Sequence, residues 1–352
     1  MMRRMRLLVL LTVLCGVVLG CSKPAPRNQV NVLMWSEYID RAMLADFQKR
    51  TGLEVRLDEY EATEDMVAKL QQAGGTKQYD VVVASDHIIP VLAKLNLIQP
   101  LDRERIPNSK NVMERFARPS YDPEGKYSLP YQWGTMGLMY RKDKIANMQP
   151  TWAMIFDPAR QPGRFTLIDS MRDMMAAALK YQGKSVNTAD PGELRAAGEL
   201  LAATKKSPQL LGFEPGVGGK NKVVSGDAVL AIVYSGDAIR ATEEDPNVDF
   251  ILPREGTIIW VDAMTIPAHA PNLDGAYQFI DWILDAQTGA ALSNFNRYAT
   301  PNAESLPLIN KEDRENKTIY PDEELLGTME YLEDMGPHTR LYDEVWTAVK
   351  SR

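Results

Sequence analysis

Cysteine is nearly absent from this chain of 352 residues, which contains only Cys15 and Cys21. Both belong to the N-terminal segment, so the body of the protein has no pair of thiols for a disulfide bond. The three histidines, His87, His269 and His338, are far apart and leave few ligands for a zinc cluster. An apolar core must therefore stabilise the fold, and neither a metal nor a cofactor is expected.

An excess of basic residues is also missing. The chain has 40 Lys and Arg against 47 Asp and Glu, a formal net charge of −7. Nucleic-acid binding needs basic surface patches, so nucleic acid is not expected as a partner. The acidic balance is compatible with a cationic ligand, but many soluble proteins share it.

The apolar run "LLVLLTVLCGVVLG", residues 7–20, is too short to cross a membrane, which takes about 20 residues. Together with the three arginines near the N-terminus it is typical of a signal peptide, here residues 1–20. The run ends in "VLGC", which resembles the lipobox of bacterial lipoproteins. It predicts cleavage before Cys21, acylation of that cysteine and a membrane anchor. The alternative is an ordinary secreted protein with a chance cysteine.

Strand and helix patterns alternate after a polar tether at residues 21–29. The stretches "VNVLMW", "LEVRLDEY" and "YDVVVAS" read as strands with amphipathic helices between them, and the middle of the chain repeats the alternation. This pattern predicts an α/β fold whose largely parallel sheets are covered by helices. Ligands of such sheets bind beyond the carboxyl ends of the strands.

The chain is long enough for two domains. Residues 127–145 and 248–268 look like crossings between two lobes, with a hinge and a cleft between them. We predict that lobe 1 comprises residues 30–132 and 255–302, and that lobe 2 comprises residues 133–254 and 303–352.

Motifs for covalent or phosphate chemistry are missing. The chain has no G-x-S-x-G nucleophile elbow. The glycine-rich stretch "GFEPGVGGKN", residues 212–221, has Glu214 where a phosphate-binding loop needs glycine and Asn221 where it needs serine or threonine. We expect a surface loop there, and we do not expect an enzyme.

Aromatic residues instead recur beside carboxylates near predicted strand ends. Taken singly, each instance is more often core packing or a solvated acid. Together they suit an alkylammonium group, which gains about 0.5–2 kcal/mol from each aromatic face and roughly 1.5–3 kcal/mol from a carboxylate. The instances are Trp35 with Glu37 and Tyr38, Tyr234 with Asp237, Trp260 with Asp262, and the lone Tyr298.

The stretches "MWSEYID", "YDVVVAS", "SLPYQWGTMGLMY", "EGTIIWVDAMTIPAHA" and "NRYATPN" resemble bacterial extracellular polyamine-binding proteins, the spermidine- and putrescine-binding components of ABC importers. The resemblance covers nearly all of residues 30–352. It implies a two-lobed periplasmic binding fold of type II, with a mixed sheet in each lobe and the ligand cleft at the hinge. It further implies a periplasmic monomer that has no enzymatic activity and delivers its polyamine to a membrane permease.

The resemblance also assigns ligand contacts. Asp262 matches the principal amine-binding carboxylate, and Trp260 and Trp35 match aromatic residues that sandwich the aliphatic chain. Glu37 and His87 match positions at the rim. The implied contacts are Trp35, Ser36, Tyr38, Ser85, Asp173, Tyr234, Asp237, Trp260, Asp262 and Tyr298.

Four positions depart from the spermidine-binding pattern. Ser170 replaces a carboxylate, His87 replaces an aromatic residue, Leu332 replaces a glutamine, and Asp237 matches the putrescine type. These departures favour putrescine over spermidine.

Other interpretations stay open. The same capture chemistry would serve a polyamine sensor that signals to a membrane regulatory protein. Agmatine is another possible ligand, and so is an amino acid, although an amino acid needs a clamp for its carboxylate. The matched site offers no arginine for that purpose apart from nearby Arg172. Ser22, which follows the predicted lipid site, lacks the inner-membrane retention signal of Asp, and the sequence does not decide which membrane holds the anchor.

Overall fold

The computed structural model describes residues 28–72 and 74–351. The predicted signal peptide and the predicted lipid site Cys21 lie outside these residues. Within them the chain forms a mixed α/β structure, as the sequence predicts. The strands are β1 Gln29–Trp35, β2 Glu54–Tyr60, β3 Val81–Ser85, β4 Ile98–Gln99, β5 Leu129–Arg141, β6 Phe165–Ile168, β7 Leu210–Glu214, β8 Leu230–Tyr234, β9 Val248–Ile251 and β10 Ile259–Pro267.

Helices follow most of the strands and cover the sheet. The first helix, Leu44–Thr51, ends at Gly52, which has the left-handed conformation (φ 75°) that glycine adopts readily. The helices are α1 Leu44–Thr51, α2 Thr63–Gln71, α3 Ile89–Lys94, α4 Glu114–Ala117, α5 Ala153–Phe156, α6 Met171–Tyr181, α7 Pro191–Lys205, α8 Gly218–Val224, α9 Ser235–Glu244, α10 Leu273–Ile283, α11 Ala286–Asn296, α12 Lys311–Glu315, α13 Glu323–Leu326 and α14 Thr339–Ser351.

The long strand β5 joins two parts of the sheet. Its first half pairs with β10, which continues to β3, β1 and β2. Its second half pairs with β8 and β9, and β8 continues to β6 and β7. β1, β2 and β3 are parallel to one another, as are β6, β7 and β8, whereas β5 and β10 run antiparallel to their neighbours. The parallel strands of each part therefore end at one common edge.

The central strands of the sheet are buried from both faces, whereas the outer strands β2 and β7 are partly exposed. In β10 all nine residues are buried, and β3 is a nearly continuous apolar run, as expected for strands covered by helices on both sides. A polar side chain in such a strand needs partners close by. In the described part of the chain, no helix is both long and apolar enough to span a bilayer.

The expectation of a surface loop at residues 212–221 is wrong. The stretch is the end of β7, a turn and the beginning of α8, and Lys220 is only 4% exposed. Gly219 packs closely against β6 and β8, since a Cβ there would lie 3.2 Å from Thr166 Oγ1 and 3.6 Å from Ala231 Cβ. A glycine-rich stretch is compatible both with a surface loop and with a closely packed helix start, so the sequence could not distinguish the two.

Candidate functional site

One cavity brings the predicted binding residues together. It holds about 1040 Å³ of space, open solvent at its mouth included, and both parts of the sheet contribute to its walls. The rim positions Glu37 and His87 line it, and so do the departure positions Ser170 and Leu332. All ten expected contacts also line it: Trp35, Ser36, Tyr38, Ser85, Asp173, Tyr234, Asp237, Trp260, Asp262 and Tyr298.

Strand ends place most of these side chains. Trp35, Ser85 and Tyr234 are the last residues of β1, β3 and β8. Asp173 and Asp237 lie in the first turns of α6 and α9, the helices that follow β6 and β8. Because parallel strands end at one edge of a sheet, residues distant in sequence meet there.

Asp262 lies in the middle of β10, and the register between strands determines where its side chain is placed. Antiparallel pairing sets Asp262 directly opposite Ser85 of β3, and the pairing of β10 with β5 shifts register beside Asp262. Such irregularities often re-aim a side chain at a site. Ser85 Oγ donates a hydrogen bond of 2.7 Å to one carboxylate oxygen, and the Tyr38 hydroxyl donates one of 2.7 Å to the other. Among the described residues, no Lys, Arg or His forms an ion pair with Asp262.

Burial governs the ionisation of Asp262. Desolvation raises its pKa to about 6, nearby Asp86 acts in the same direction, and donors on Ser85, Tyr38 and Trp35 oppose them. A cation beside the carboxyl would favour its ionised form. The cavity thus holds a buried acid for whose charge the described part of the chain supplies no counter-ion.

Aromatic rings run continuously from Asp262 to Asp173. At the first end Tyr38 bonds to Asp262, and at the second the Tyr234 hydroxyl donates a hydrogen bond of 2.7 Å to Asp173. Consecutive rings meet edge to face, with interplanar angles of 77–81°. The centroid distances are 5.7 Å for Tyr38 and Tyr298, 5.0 Å for Tyr298 and Trp260, and 5.9 Å for Trp260 and Tyr234.

Asp237 has a protein partner that the sequence analysis missed. Arg240, one turn later on α9, donates a hydrogen bond of 2.8 Å to Asp237 and one of 2.9 Å to Glu37. Lys220 lies 3.5 Å from the same Glu37 carboxylate, whose pKa is lowered because the attraction of both cations outweighs desolvation. The i, i+3 spacing of Asp237 and Arg240 on a helix was the signal available in the sequence.

Among the described residues that line the cavity, Arg172 is the one arginine, whereas Arg240 contacts Asp237 and Glu37 without lining the cavity itself. Arg172 does line the cavity, but its guanidinium donates to the Glu333 carbonyl at 2.8 Å and to the Asn187 side chain at 3.0 Å. His87 lies beside Asp86, with 3.4 Å between its Nδ1 and the carboxylate. Within the described residues, no cluster of three His, Cys, Asp or Glu could hold a metal ion.

The fold and the cavity together define a protein that holds a small solute between two α/β units. The chain belongs to the bacterial extracellular solute-binding protein family, which it matches over residues 42–318. It is 31% identical to the spermidine/putrescine-binding periplasmic protein of Escherichia coli, covering 92% of each chain.

Two further relatives agree. The putrescine/cadaverine-binding protein of Pseudomonas aeruginosa is 31% identical, over 97% of this chain and 99% of that one. The solved structure of a Treponema pallidum lipoprotein is 27% identical with a TM-score of 0.80, covering 92% of this chain and 100% of that one. The predicted two-lobed solute-binding fold is confirmed.

Proposed function

We propose that this protein captures a polyamine, with putrescine preferred over spermidine, and delivers it to an ABC permease. The observation that carries the proposal is the run of four aromatic rings with a phenol-bonded carboxylate at each end. A diamine has the matching chemistry, with an ammonium at each end and methylene groups between. The names of the Escherichia coli and Pseudomonas aeruginosa relatives support the same ligand class.

The ammonium groups pair with Asp262 and Asp173, and the methylene chain lies against Trp260, Tyr298 and Trp35. Two carboxylates and two or three aromatic faces contribute roughly 4–12 kcal/mol before ordering costs. Micromolar binding corresponds to about −8 kcal/mol and lies within this range. None of these contacts activates a nucleophile or a water molecule, so the proposed role is capture without turnover.

The lobe boundaries predicted from the sequence are part of the proposal. β5 pairs with the first part of the sheet up to Thr135 and with the second part from Met136 onward. The segment between β9 and β10 provides a return path. We propose that closure about these crossings brings the Asp262 side of the cavity onto the Asp173 side around the ligand.

Isothermal titration of the chain beginning after Cys21, against putrescine, cadaverine, spermidine and agmatine, tests the function. We expect micromolar or tighter binding with putrescine strongest. A preference for spermidine would refute the diamine preference, and a folded protein that binds none of the four would refute capture of polyamines altogether.

Glycines make room for the aromatic rings. A Cβ on Gly236 would lie 2.5 Å from the Tyr298 ring, which is too close for contact. Gly236→Ala should therefore displace Tyr298 and weaken putrescine binding about tenfold, since an aromatic face contributes about 0.5–2 kcal/mol. The measurement is the Kd of the folded variant.

The matched control for this variant is Gly198→Ala. Its Cβ would lie 2.3 Å from Val345 Cγ1, where α7 packs against α14. This clash is as severe but lies outside the cavity, so Tm should fall with Kd unchanged. Equal effects of the two variants on Kd would contradict the role of Tyr298.

A lipid anchor at Cys21 is also proposed, on the lipobox-like "VLGC" and on the lipoprotein from Treponema pallidum. The full-length chain expressed in bacteria should incorporate labelled palmitate and sediment with membranes. Cys21→Ala should abolish the label and release the protein, whereas Cys15→Ala should leave both unchanged. A label retained in Cys21→Ala would contradict the assignment.

A further inference from the structure

Among the described residues, three that are not glycine have a left-handed backbone. They are Glu37 (φ 53°), Asn96 (φ 54°) and Arg297 (φ 61°). Asparagine visits this conformation readily, because its short side chain forms local hydrogen bonds, whereas glutamate and arginine are unusual there. A residue persists in such a strained conformation when the surrounding structure holds it there, often at a site of function.

The two charged members of this set, Glu37 and Arg297, both form ion pairs with α9. Glu37 accepts a hydrogen bond of 2.9 Å from Arg240, and Arg297 lies 2.6 Å from Glu243. α9 follows β8 in the second part of the sheet. Glu37 follows β1 in the first part, and the chain directly after Arg297 pairs with the first half of β5. Both ion pairs therefore join the two parts of the sheet.

Arg297 ends α11 at a position where glycine is common. Its backbone N–H donates to the Ser293 carbonyl at 2.9 Å, and its guanidinium pairs with Asp313 of α12 as well as with Glu243. The next residue, Tyr298, lines the cavity, whereas neither Arg297 nor Glu243 does. Arg297 thus joins α9 to an aromatic wall of the site from outside the cavity.

We infer that Arg297 is a positioning residue, which favours the closed arrangement of the cavity by pairing with Glu243 across the two parts of the sheet. The inference rests on the proposed function and on its closure step. The ion pair forms when α9 lies against the Tyr298 region, so it stabilises the closed form over an open one. A chain that closes more readily binds every ligand of the site more tightly, and by the same factor.

The exposure of the ion pair sets the size of the expected effect. The Arg297 side chain is 16% exposed and that of Glu243 is 54% exposed. An ion pair between partly exposed groups contributes little free energy and is screened by salt. The effect on affinity should therefore be modest and should depend on ionic strength.

The test is titration of Glu243→Gln, which removes this ion pair and leaves the contact of Arg297 with Asp313 in place. At about 0.01 M salt, the Kd values for putrescine and cadaverine should both rise roughly threefold. Glu243→Lys adds repulsion and should raise both about tenfold. At about 1 M salt, both variants should approach the wild-type Kd measured in the same buffer. A rise that persists at high salt would indicate a steric effect and overturn the inference.

Glu244→Gln is the matched control. Glu244 is the next residue of α9, its side chain is 48% exposed, and it pairs with Lys220 of α8 within the second part of the sheet. Its removal leaves the contact between Lys220 and Glu37 in place. The Kd values should stay within about twofold of the wild type. A rise equal to that in Glu243→Gln would overturn the inference.

Arg297→Met completes a double-mutant cycle. In this background Glu243→Gln should no longer change the Kd, because its partner is gone. A threefold rise that persists would show that Glu243 acts through another group and would overturn the inference. If Arg297→Met does not fold, the salt dependence and the Glu244→Gln control decide.

The wild-type titration separates this inference from the proposed function. A folded wild-type chain that binds neither diamine refutes the proposed function and the inference with it. A wild type that binds both diamines, with unchanged Kd values in Glu243→Gln and Glu243→Lys at low salt, overturns the inference alone.

Discussion

Replacing Asp262 by asparagine is expected to weaken putrescine binding by at least about a hundredfold. The Asp262 carboxylate is 5% exposed and accepts hydrogen bonds from Ser85 and Tyr38. Among the described residues no cation pairs with it, so its charge is available for the ligand ammonium. Removing one partner of a buried ion pair costs about 3–5 kcal/mol, because the other charge stays buried without compensation. At 1.4 kcal/mol for each factor of ten, this loss exceeds a hundredfold.

The stability of the Asp262→Asn variant should not decrease with its affinity. Asparagine keeps one acceptor oxygen, and its amide N–H can donate to the second hydroxyl once that hydroxyl rotates to accept. It carries no charge to desolvate, so the Tm of the empty variant at pH 7 should not fall. Titration calorimetry and thermal unfolding of the same sample separate binding from folding. Asp227→Asn, at an exposed turn outside the cavity, is the control and should change neither quantity. An Asp262→Asn variant with wild-type Kd would remove this carboxylate from the proposed ligand contacts.

Putrescine affinity is expected to fall about tenfold between pH 7 and pH 5. The pKa of Asp262 in the empty protein is raised to about 6, chiefly by burial, so the carboxyl is mostly ionised at pH 7 and mostly protonated at pH 5. Only the ionised form pairs with an ammonium, and the bound cation lowers the pKa again. At pH 5 the protein must first lose a proton, which costs about one pKa unit, or about 1.4 kcal/mol.

Release of a proton from Asp262 on binding distinguishes this explanation from others. Near pH 6 binding should release about half a proton, and the observed enthalpy should therefore vary with the ionisation enthalpy of the buffer. Asp262→Asn should abolish the release. His87→Ser should retain it, which distinguishes Asp262 from the histidine at the rim. Affinity independent of pH in the wild type would contradict the raised pKa.

The same ionisation affects the empty protein in a defined direction. Because the folded-state pKa of Asp262 lies above the ordinary value of 3.8, the native state binds more protons than the unfolded chain between about pH 4 and pH 6. The resulting contribution to stability is complete below about pH 4 and is lost as pH rises through 6. The difference in unfolding free energy between wild type and Asp262→Asn should follow this curve.

Much of the site could be predicted from sequence because of one geometric rule. Trp35 and Tyr234 end strands, and parallel strands end at a common edge, so local patterns indicated a shared site there, whereas Ser85 was assigned by family resemblance. The identification of Asp262 as the first-ranked carboxylate came from family resemblance. The structure adds its register opposite Ser85 and its hydrogen bond from Tyr38, which join residues 177 and 224 positions apart.

Sequence by itself thus determined the α/β class, the acidic and aromatic character of the candidate site, and the absence of a disulfide framework in the chain after Cys21. Tertiary structure alone decided which acids keep a free charge. Arg240 pairs with Asp237 and Glu37, while no cation of the described residues pairs with Asp262, whose pKa is raised. Ion pairing and desolvation of a carboxylate depend on distances between helices and strands, and composition and periodicity contain no information about those distances.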